Sequence, residues 1–207
     1  MEFFDSHSHY NDEKFDIDRE QIIKETLFYG VSNFIIAGYN IEGSIKAVEI
    51  AQKHGPIYAT AGISPNDVED IKDKVDDSIF KIEEIAKNKK VVAIGEIGLD
   101  YYWNKENKEL QKEVFVKQIE LANKLNLPIV IHTRDAFLDT IEILKQKNVS
   151  RKGIFHCCPL NQELVKEAVK LGYYISLSGV ITFKNAKNVE EILNLIPEDK
   201  LLIPIII

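Results

Sequence analysis

Four of the five histidines and one glutamate follow short apolar runs of the sequence, where strands are expected to end. These residues are His7, His9, Glu96, His132 and His156. His7 and His9 are two residues apart, so in an extended chain both imidazoles point to the same side and can reach one metal ion. The fifth histidine, His54, lies at the predicted end of a helix, where an imidazolium favours the helix dipole, and we assign it no ligand role.

Four imidazoles and one carboxylate are more ligands than one tetrahedral ion needs. They fit two divalent ions about 3.5–4 Å apart that share a bridging carboxylate. Mixed nitrogen and oxygen ligands suit Zn²⁺, Mn²⁺ or a similar ion better than Ca²⁺. Because such a pair of ions activates water and binds phosphoryl oxygens, we expect metal-assisted hydrolysis, most naturally of a phosphodiester. Asp5 shares the parity of His7 and His9, and is either a partner that orients an imidazole or a strand-end carboxylate.

The apolar runs are rich in β-branched and aromatic residues, which is typical of buried parallel strands. Eight such runs occur, at residues 3–4, 31–37, 57–61, 91–94, 129–131, 153–155, 173–177 and 201–203. Seven helical segments separate them; one spans residues 106–126 and another begins after the N-cap Asn161. This alternation predicts an α/β fold, a (β/α)8 TIM barrel in a single domain over residues 1–207. An open doubly wound sheet is the alternative.

The barrel would bring the chemistry-bearing residues together, because the carboxyl ends of its strands converge on one face. The composition agrees with a globular protein: the 207 residues are 45% hydrophobic and 29% charged, which excludes a disordered chain. No apolar run is long enough for a membrane span, and no secretory signal is visible, so we expect a cytoplasmic protein. The adjacent Cys157 and Cys158 are expected to be reduced thiols.

The net charge of −7 argues against an open basic surface that binds nucleic acid non-specifically. It does not exclude a nucleic acid substrate, because bound cations can supply positive charge locally. Nothing in the sequence indicates a protein partner.

Five segments around the candidate residues carry a recognisable pattern. They read FDSHSH at residues 4–9, AIGEIGLDY at 93–101, PIVIHTRDA at 128–136, FHC at 155–157, and SLSG at 176–179 followed by TFK at 182–184. In this order, and over nearly the whole chain, they resemble the TatD-type metal-dependent deoxyribonucleases, a family of amidohydrolase-like TIM barrels. The resemblance implies a DNA substrate and a 3'-5' exonuclease type of activity.

The resemblance also implies roles for individual residues. His7 and His9 would hold one divalent cation (Zn, Mn or Mg), and His132 with His156 would hold the second. Glu96 would bridge the two ions as the catalytic carboxylate. Arg134 would contact a substrate phosphate; the alternative for Arg134 is a salt bridge with an acidic neighbour at the start of a helix.

The sequence departs from the family pattern at two loops. The family's Gly-x-His-Pro-His is replaced by GISPN at residues 62–66. Ser64 and Asn66 can still hydrogen-bond a phosphate, but they cannot carry positive charge. The family's His-Cys-Phe-Ser-Gly is replaced by HCCPL at residues 156–160, which alters the loop beside the second ion.

The third departure is at the end of the chain. After its eighth strand the family continues with Glu-Thr-Asp, whose Asp completes the first metal site, whereas this chain reads LLIPIII over residues 201–207. We therefore expect a barrel that is incomplete at the C-terminus, with its final helix missing and its eighth strand weakened at Pro204. The apolar end is an expected aggregation hazard. Asp100 or the terminal carboxylate is the candidate replacement for the missing ligand.

Two other functions compete with the nuclease. One is a hydrolase of a small amide or ester on the same barrel, and the other is a non-catalytic, truncated remnant.

Overall fold

Eight parallel strands form one sheet in the computed structural model, which describes residues 2–202. The strands are Phe3–Ser8 (β1), Val31–Ile36 (β2), Ile57–Ala61 (β3), Val91–Asp100 (β4), Ile129–Arg134 (β5), Ile154–Phe155 (β6), Tyr174–Ser176 (β7) and Leu201–Leu202 (β8). Each strand pairs in parallel with the next one along the chain, from β1 to β8. This sequential order is that of a nearly closed (β/α)8 barrel, and it excludes the doubly wound alternative, whose strand order reverses.

Seven α-helices connect the strands. They are Arg19–Phe28 (α1), Ile41–Lys53 (α2), Val75–Ala86 (α3), Lys108–Leu125 (α4), Phe137–Gln146 (α5), Gln162–Lys170 (α6) and Val189–Leu195 (α7). Short 3₁₀ turns lie at Glu13–Phe15, Val68–Ile71, Gly179–Thr182 and Glu198–Lys200. No helix in the described part of the chain is long and apolar enough to cross a membrane.

The helix ends follow the local chemistry of the sequence. The Asn161 side chain caps α6 by accepting a hydrogen bond from the Leu164 backbone N–H at 2.9 Å, as predicted. Asn126 ends α4 in the left-handed conformation, with Pro128 two residues later. Along α4, Val114, Phe115 and Ile119 are buried, so this helix covers β4 with its apolar side.

The strands around the site are longer than their apolar runs predict. His7 lies within β1, Glu96 lies within β4 and His132 lies within β5, whereas each was expected just beyond its strand. The hydrogen-bonded pairing of the strands continues past the apolar residues. It does so because the polar side chains point into the carboxyl end of the barrel, where they contact one another rather than water. Strand length was therefore underestimated from hydrophobicity alone.

The first and last strands differ from their predicted apolar runs in what can be described. Phe3 and Phe4, read as a buried run, are about half exposed, and the buried residues of β1 are Asp5 and Ser6. The predicted eighth strand included Ile203. This residue, Pro204, the terminal carboxylate and the segment expected to lack a final helix lie outside the described residues.

Candidate metal centre

Five side chains from four strand ends meet at the carboxyl end of the barrel. β1 supplies His7 and the residue after it supplies His9, β4 supplies Glu96, β5 supplies His132, and His156 follows β6. These are the five residues that the sequence singled out, and the structure brings the four histidines close to Glu96. His54 lies elsewhere, at the end of α2, where its Nε2 is 3.2 Å from Glu20 Oε2.

Glu96 lies between two pairs of histidines and turns one carboxylate oxygen to each. Its Oε2 is 3.2 Å from His7 Nε2 and 3.7 Å from His9 Nε2. Its Oε1 is 3.0 Å from His132 Nδ1 and 3.1 Å from His156 Nε2. The donor atoms thus form two groups, each of two nitrogens and one oxygen, whose members lie within 4.8 Å of one another. This donor set fits divalent cations of the zinc or manganese kind.

The protonation states also suit cation binding. Burial and the neighbouring His156 lower the pKa of His7 to about 4, and burial with the neighbouring His7 lowers the pKa of His9 to about 4. Burial opposes ionisation of Glu96, but the charge of His156 and the hydrogen bonds from the surrounding imidazoles hold its pKa well below the usual range. At neutral pH His7 and His9 are therefore uncharged and Glu96 is charged, which are the forms of these side chains that bind metals.

His132 is held from both sides of its ring. Its Nδ1 faces Glu96, and its Nε2 is 2.9 Å from Oδ2 of the buried Asp100. Burial lowers the pKa of His132, but its hydrogen bonds to Asp100 and Glu96 outweigh burial and raise the pKa to about 9. Asp100 keeps a proton on Nε2. When a cation binds, the proton on Nδ1 is released, so Nδ1 is the nitrogen that would bind the cation.

Asp100 is itself fixed by its backbone and by α4. The Gln111 side chain accepts a hydrogen bond from the Asp100 N–H at 2.8 Å and donates one to the Asp100 carbonyl at 3.0 Å. Gly98 pairs with His132 across β4 and β5, and a Cβ at Gly98 would collide with the His132 carbonyl. The absence of a side chain at Gly98 thus lets β4 approach β5 closely enough to place Asp100 on His132.

Asp100 was predicted as a possible replacement ligand in the first metal site. The structure places its carboxylate beside His132, which belongs to the group that excludes His7 and His9. Its Oδ1 accepts the backbone N–H groups of Tyr102 at 2.9 Å and Trp103 at 3.2 Å. Sequence reasoning did not assign any role to Tyr102, Trp103 or Gln111. The sequence does hint at a role for Gln111, because it is a polar residue on the apolar side of α4.

Arg134, the candidate phosphate contact, is exposed at the end of β5. Its guanidinium carbon lies 3.7 Å from the centre of the Tyr102 ring and 5.5 Å from that of Trp103. Among the ion pairs of residues 2–202, none involves Arg134, so the alternative of a helix-start salt bridge is not seen there. The Asp5 carboxylate accepts the backbone N–H of His7 at 3.1 Å.

The two departures from the family pattern have visible consequences. The buried Ser64 hydroxyl donates to Asp67 at 2.9 Å, while Asn66 is exposed. Both cysteines are free, as predicted; Cys157 is exposed and Cys158 is buried. Burial, with Cys157 beside it, raises the pKa of the Cys158 thiol to about 12, which leaves it unreactive near neutral pH.

Comparisons with known proteins agree with this geometry. The family model described as TatD related DNase matches residues 4–203. A metal-dependent hydrolase of Bacillus subtilis (strain 168), YabD, is 41% identical over 201 residues, covering 97% of this chain and 78% of the relative. The Escherichia fergusonii protein named 3'-5' ssDNA/RNA exonuclease TatD is 33% identical over 202 residues, covering 97% of this chain and 76% of that protein.

A solved structure shows the same fold. The crystal structure of YJJV, a TatD homologue from Escherichia coli K12, superposes with a TM-score of 0.90 at 27% identity. The match covers 98% of this chain and 78% of that one. Similarity of this extent in both sequence and fold supports a common ancestry of the barrel.

Proposed function

Since this chain belongs to the TatD-related DNase family of metal-dependent hydrolases, we propose that it is a deoxyribonuclease that hydrolyses phosphodiester bonds at the 3' ends of DNA. The observation that carries the proposal is the position of Glu96, which presents one oxygen to His7 and His9 and the other to His132 and His156. A carboxylate shared by two pairs of imidazoles can hold two divalent ions side by side. The relative named as a 3'-5' ssDNA/RNA exonuclease supports the choice of substrate.

The proposed cofactors are two divalent cations, Zn, Mn or Mg. When bound, such ions activate water near neutral pH and neutralise the charge of a phosphoryl group. This role matters here because the protein has a net charge of −7 and would otherwise repel a polyanion. Metal binding would thus serve both the chemistry and the attraction of DNA.

The residues of the chain would divide the work among them. The four histidines and Glu96 would hold the cations. Glu96 is buried and the histidines are half-buried, so water screens the electrostatic interactions there only in part. Asp100 keeps the proton of His132 on Nε2, which leaves Nδ1, the nitrogen that faces Glu96, free to bind a cation. Arg134, exposed at the end of β5, contributes a permanent positive charge to a phosphate of the substrate.

Hydrolysis and metal content of the purified chain test the proposal together. A single-stranded DNA oligonucleotide, labelled at either end, is incubated with Mg²⁺, Mn²⁺ or Zn²⁺, and the products are resolved by length. We expect stepwise shortening from the 3' end, and loss of both metal and hydrolysis in Glu96→Gln. The matched control is Glu49→Gln, an exposed glutamate of α2.

Three outcomes would count against part or all of the proposal. Shortening from the 5' end would overturn the proposed polarity. Hydrolysis of amide or ester model substrates without hydrolysis of DNA would favour the small-molecule hydrolase. A metal-loaded chain with no turnover of any of these substrates would favour a non-catalytic protein.

A further inference from the structure

A group of exposed aromatic and cationic side chains lies beside the candidate metal centre. Trp103 is 69% exposed and Tyr102 is 50% exposed, although both are large and mainly apolar. Their rings meet edge to face, with centroids 4.9 Å apart and planes at 89°. The guanidinium of Arg134 lies over the Tyr102 ring. We call Tyr102, Trp103 and Arg134 the aromatic rim.

The aromatic rim is fixed to the centre through Asp100. One oxygen of this buried carboxylate accepts the backbone N–H groups of Tyr102 and Trp103, and the other is 2.9 Å from His132 Nε2. Arg134 is two residues beyond His132 on β5 and pairs with Asp100 across the sheet. The rim is therefore anchored at a defined place relative to the residues that would bind the reacting phosphate.

The turn is also anchored through Tyr101, the residue between Asp100 and Tyr102. The Tyr101 hydroxyl donates to Asp139 on α5 at 2.6 Å, and the backbone of Tyr101 donates to the Arg134 carbonyl at 2.9 Å. An exposed tryptophan on an anchored turn exposes a large stacking surface without the entropy cost of ordering a loop on binding.

We propose that the aromatic rim is a nucleobase seat: the Trp103 ring stacks on a base of a single-stranded nucleic acid while Arg134 faces the adjoining sugar–phosphate chain. The inference rests on the proposed function, because a base is presented here only if a neighbouring phosphate enters the metal centre. Each base has a flat π face that stacks on an aromatic side chain whatever its identity, so the seat binds without strong sequence preference. A base within a duplex is already stacked and paired, so the seat selects single strands or frayed ends.

The charge pattern favours a nucleic acid over an apolar partner. The cation in the rim, Arg134, has no ion-pair partner among the described residues, while its planar group is stacked on Tyr102. A stacked guanidinium keeps its N–H edge directed outward, where it can donate to phosphate oxygens. A stacking surface next to an available guanidinium matches the two parts of a nucleotide, the base and the phosphate.

Trp103 is the only tryptophan of the sequence, so the fluorescence of the metal-loaded protein reports the seat directly. The probe is a phosphorothioate-linked oligothymidylate, which resists hydrolysis, and the matched probe is the same sugar–phosphate chain without bases. We expect the base-containing strand to quench Trp103 and to bind about tenfold or more tightly than the baseless strand. Equal affinities with no quenching would overturn the seat, and this test needs no variant.

Variants at the same position separate stacking from structure. Trp103→Leu should weaken binding of the base-containing strand by about tenfold and leave binding of the baseless strand unchanged, as measured by fluorescence anisotropy of labelled strands. Trp103→Phe, which keeps a ring, should recover most of the affinity. Metal content should equal that of the unmodified chain in both variants. An affinity that is the same for leucine and phenylalanine would contradict the stacking role.

The two proposals fail in different ways. If the unmodified chain hydrolyses DNA but Trp103 is not quenched, the seat is wrong and the nuclease stands. If Trp103 is quenched by bases but DNA is not hydrolysed under any metal condition, the seat stands as a binding site and the nuclease is wrong.

Discussion

The Asp100 carboxylate lies 2.9 Å from Nε2 of His132, on the ring nitrogen that faces away from Glu96. The same carboxylate accepts two backbone N–H groups from the turn that carries Tyr102 and Trp103. One buried side chain therefore sets the orientation of a candidate metal ligand and the position of the aromatic rim.

Asp100→Asn should weaken metal binding without disrupting the turn. Its amide oxygen can still accept from Tyr102 and Trp103, which directs the amide nitrogen to His132 Nε2. That donor removes the preference for a proton on Nε2, so Nδ1 becomes the protonated nitrogen and no longer binds a cation. We expect about 10–100-fold weaker binding of one ion, measured by competition with a chelator of known affinity.

The control for this variant is Asp73→Asn, an exposed change of the same kind. Unchanged metal affinity in Asp100→Asn would show that the Asp100 contact does not govern His132.

The division of the donors into two groups predicts the metal stoichiometry of double variants. His7→Ala with His9→Ala should remove one ion per chain and retain the other, and His132→Ala with His156→Ala should do the reverse, because each pair faces a different oxygen of Glu96. The measurement is metal per chain by inductively coupled plasma mass spectrometry. His54→Ala, outside both groups, should keep the full content. Full loading in both double variants would refute the grouping.

Much of this arrangement could be predicted from the sequence, because it follows from periodicity and position. The strand-helix alternation gives the barrel, and the barrel makes residues as distant as His7 and His156 neighbours. A position of Glu96 between the two pairs of imidazoles could be expected, because Glu96 was predicted to bridge two metal ions. Which oxygen faces which pair depends on side-chain torsions, and these are determined by packing across β1, β4 and β5.

The roles of Asp100 and the aromatic rim could not be predicted in the same way. Asp100 is 32 positions from His132 in the sequence, and its contact depends on the close approach of β4 at Gly98. Tyr102 and Trp103 read as ordinary loop aromatics until their exposure is known. The lengths of β4 and β5 were underestimated for a related reason. Their polar residues point into the barrel, so each apolar run ends before the hydrogen-bonded strand does.

The two cysteines should differ sharply in reactivity, because Cys157 is exposed and Cys158 is buried. In the native protein at pH 8, we expect iodoacetamide to modify one thiol per chain, and mass spectrometry of the digested protein should place it at Cys157. In denaturant both thiols should react. Cys157→Ser should abolish native labelling. Rapid modification of two thiols in the folded protein would contradict the buried position of Cys158.

Asp139 should stabilise the fold only while it is ionised. The hydrogen bonds from Tyr101 at 2.6 Å and from Lys112 at 2.9 Å lower the pKa of Asp139, although the side chain is partly exposed. Because the pKa is lowered in the folded state, the contribution of Asp139 to the free energy of unfolding is fully present above the ordinary carboxyl pKa of about 3.9. It is lost as the pH falls through the lowered value. Since solvent screens the ion pair, we expect Asp139→Asn to cost about 1 kcal/mol in free energy of unfolding at pH 7. Urea unfolding at several pH values measures this, with the exposed Asp77→Asn as control; a cost that persists undiminished in acid would exclude the ionic contribution.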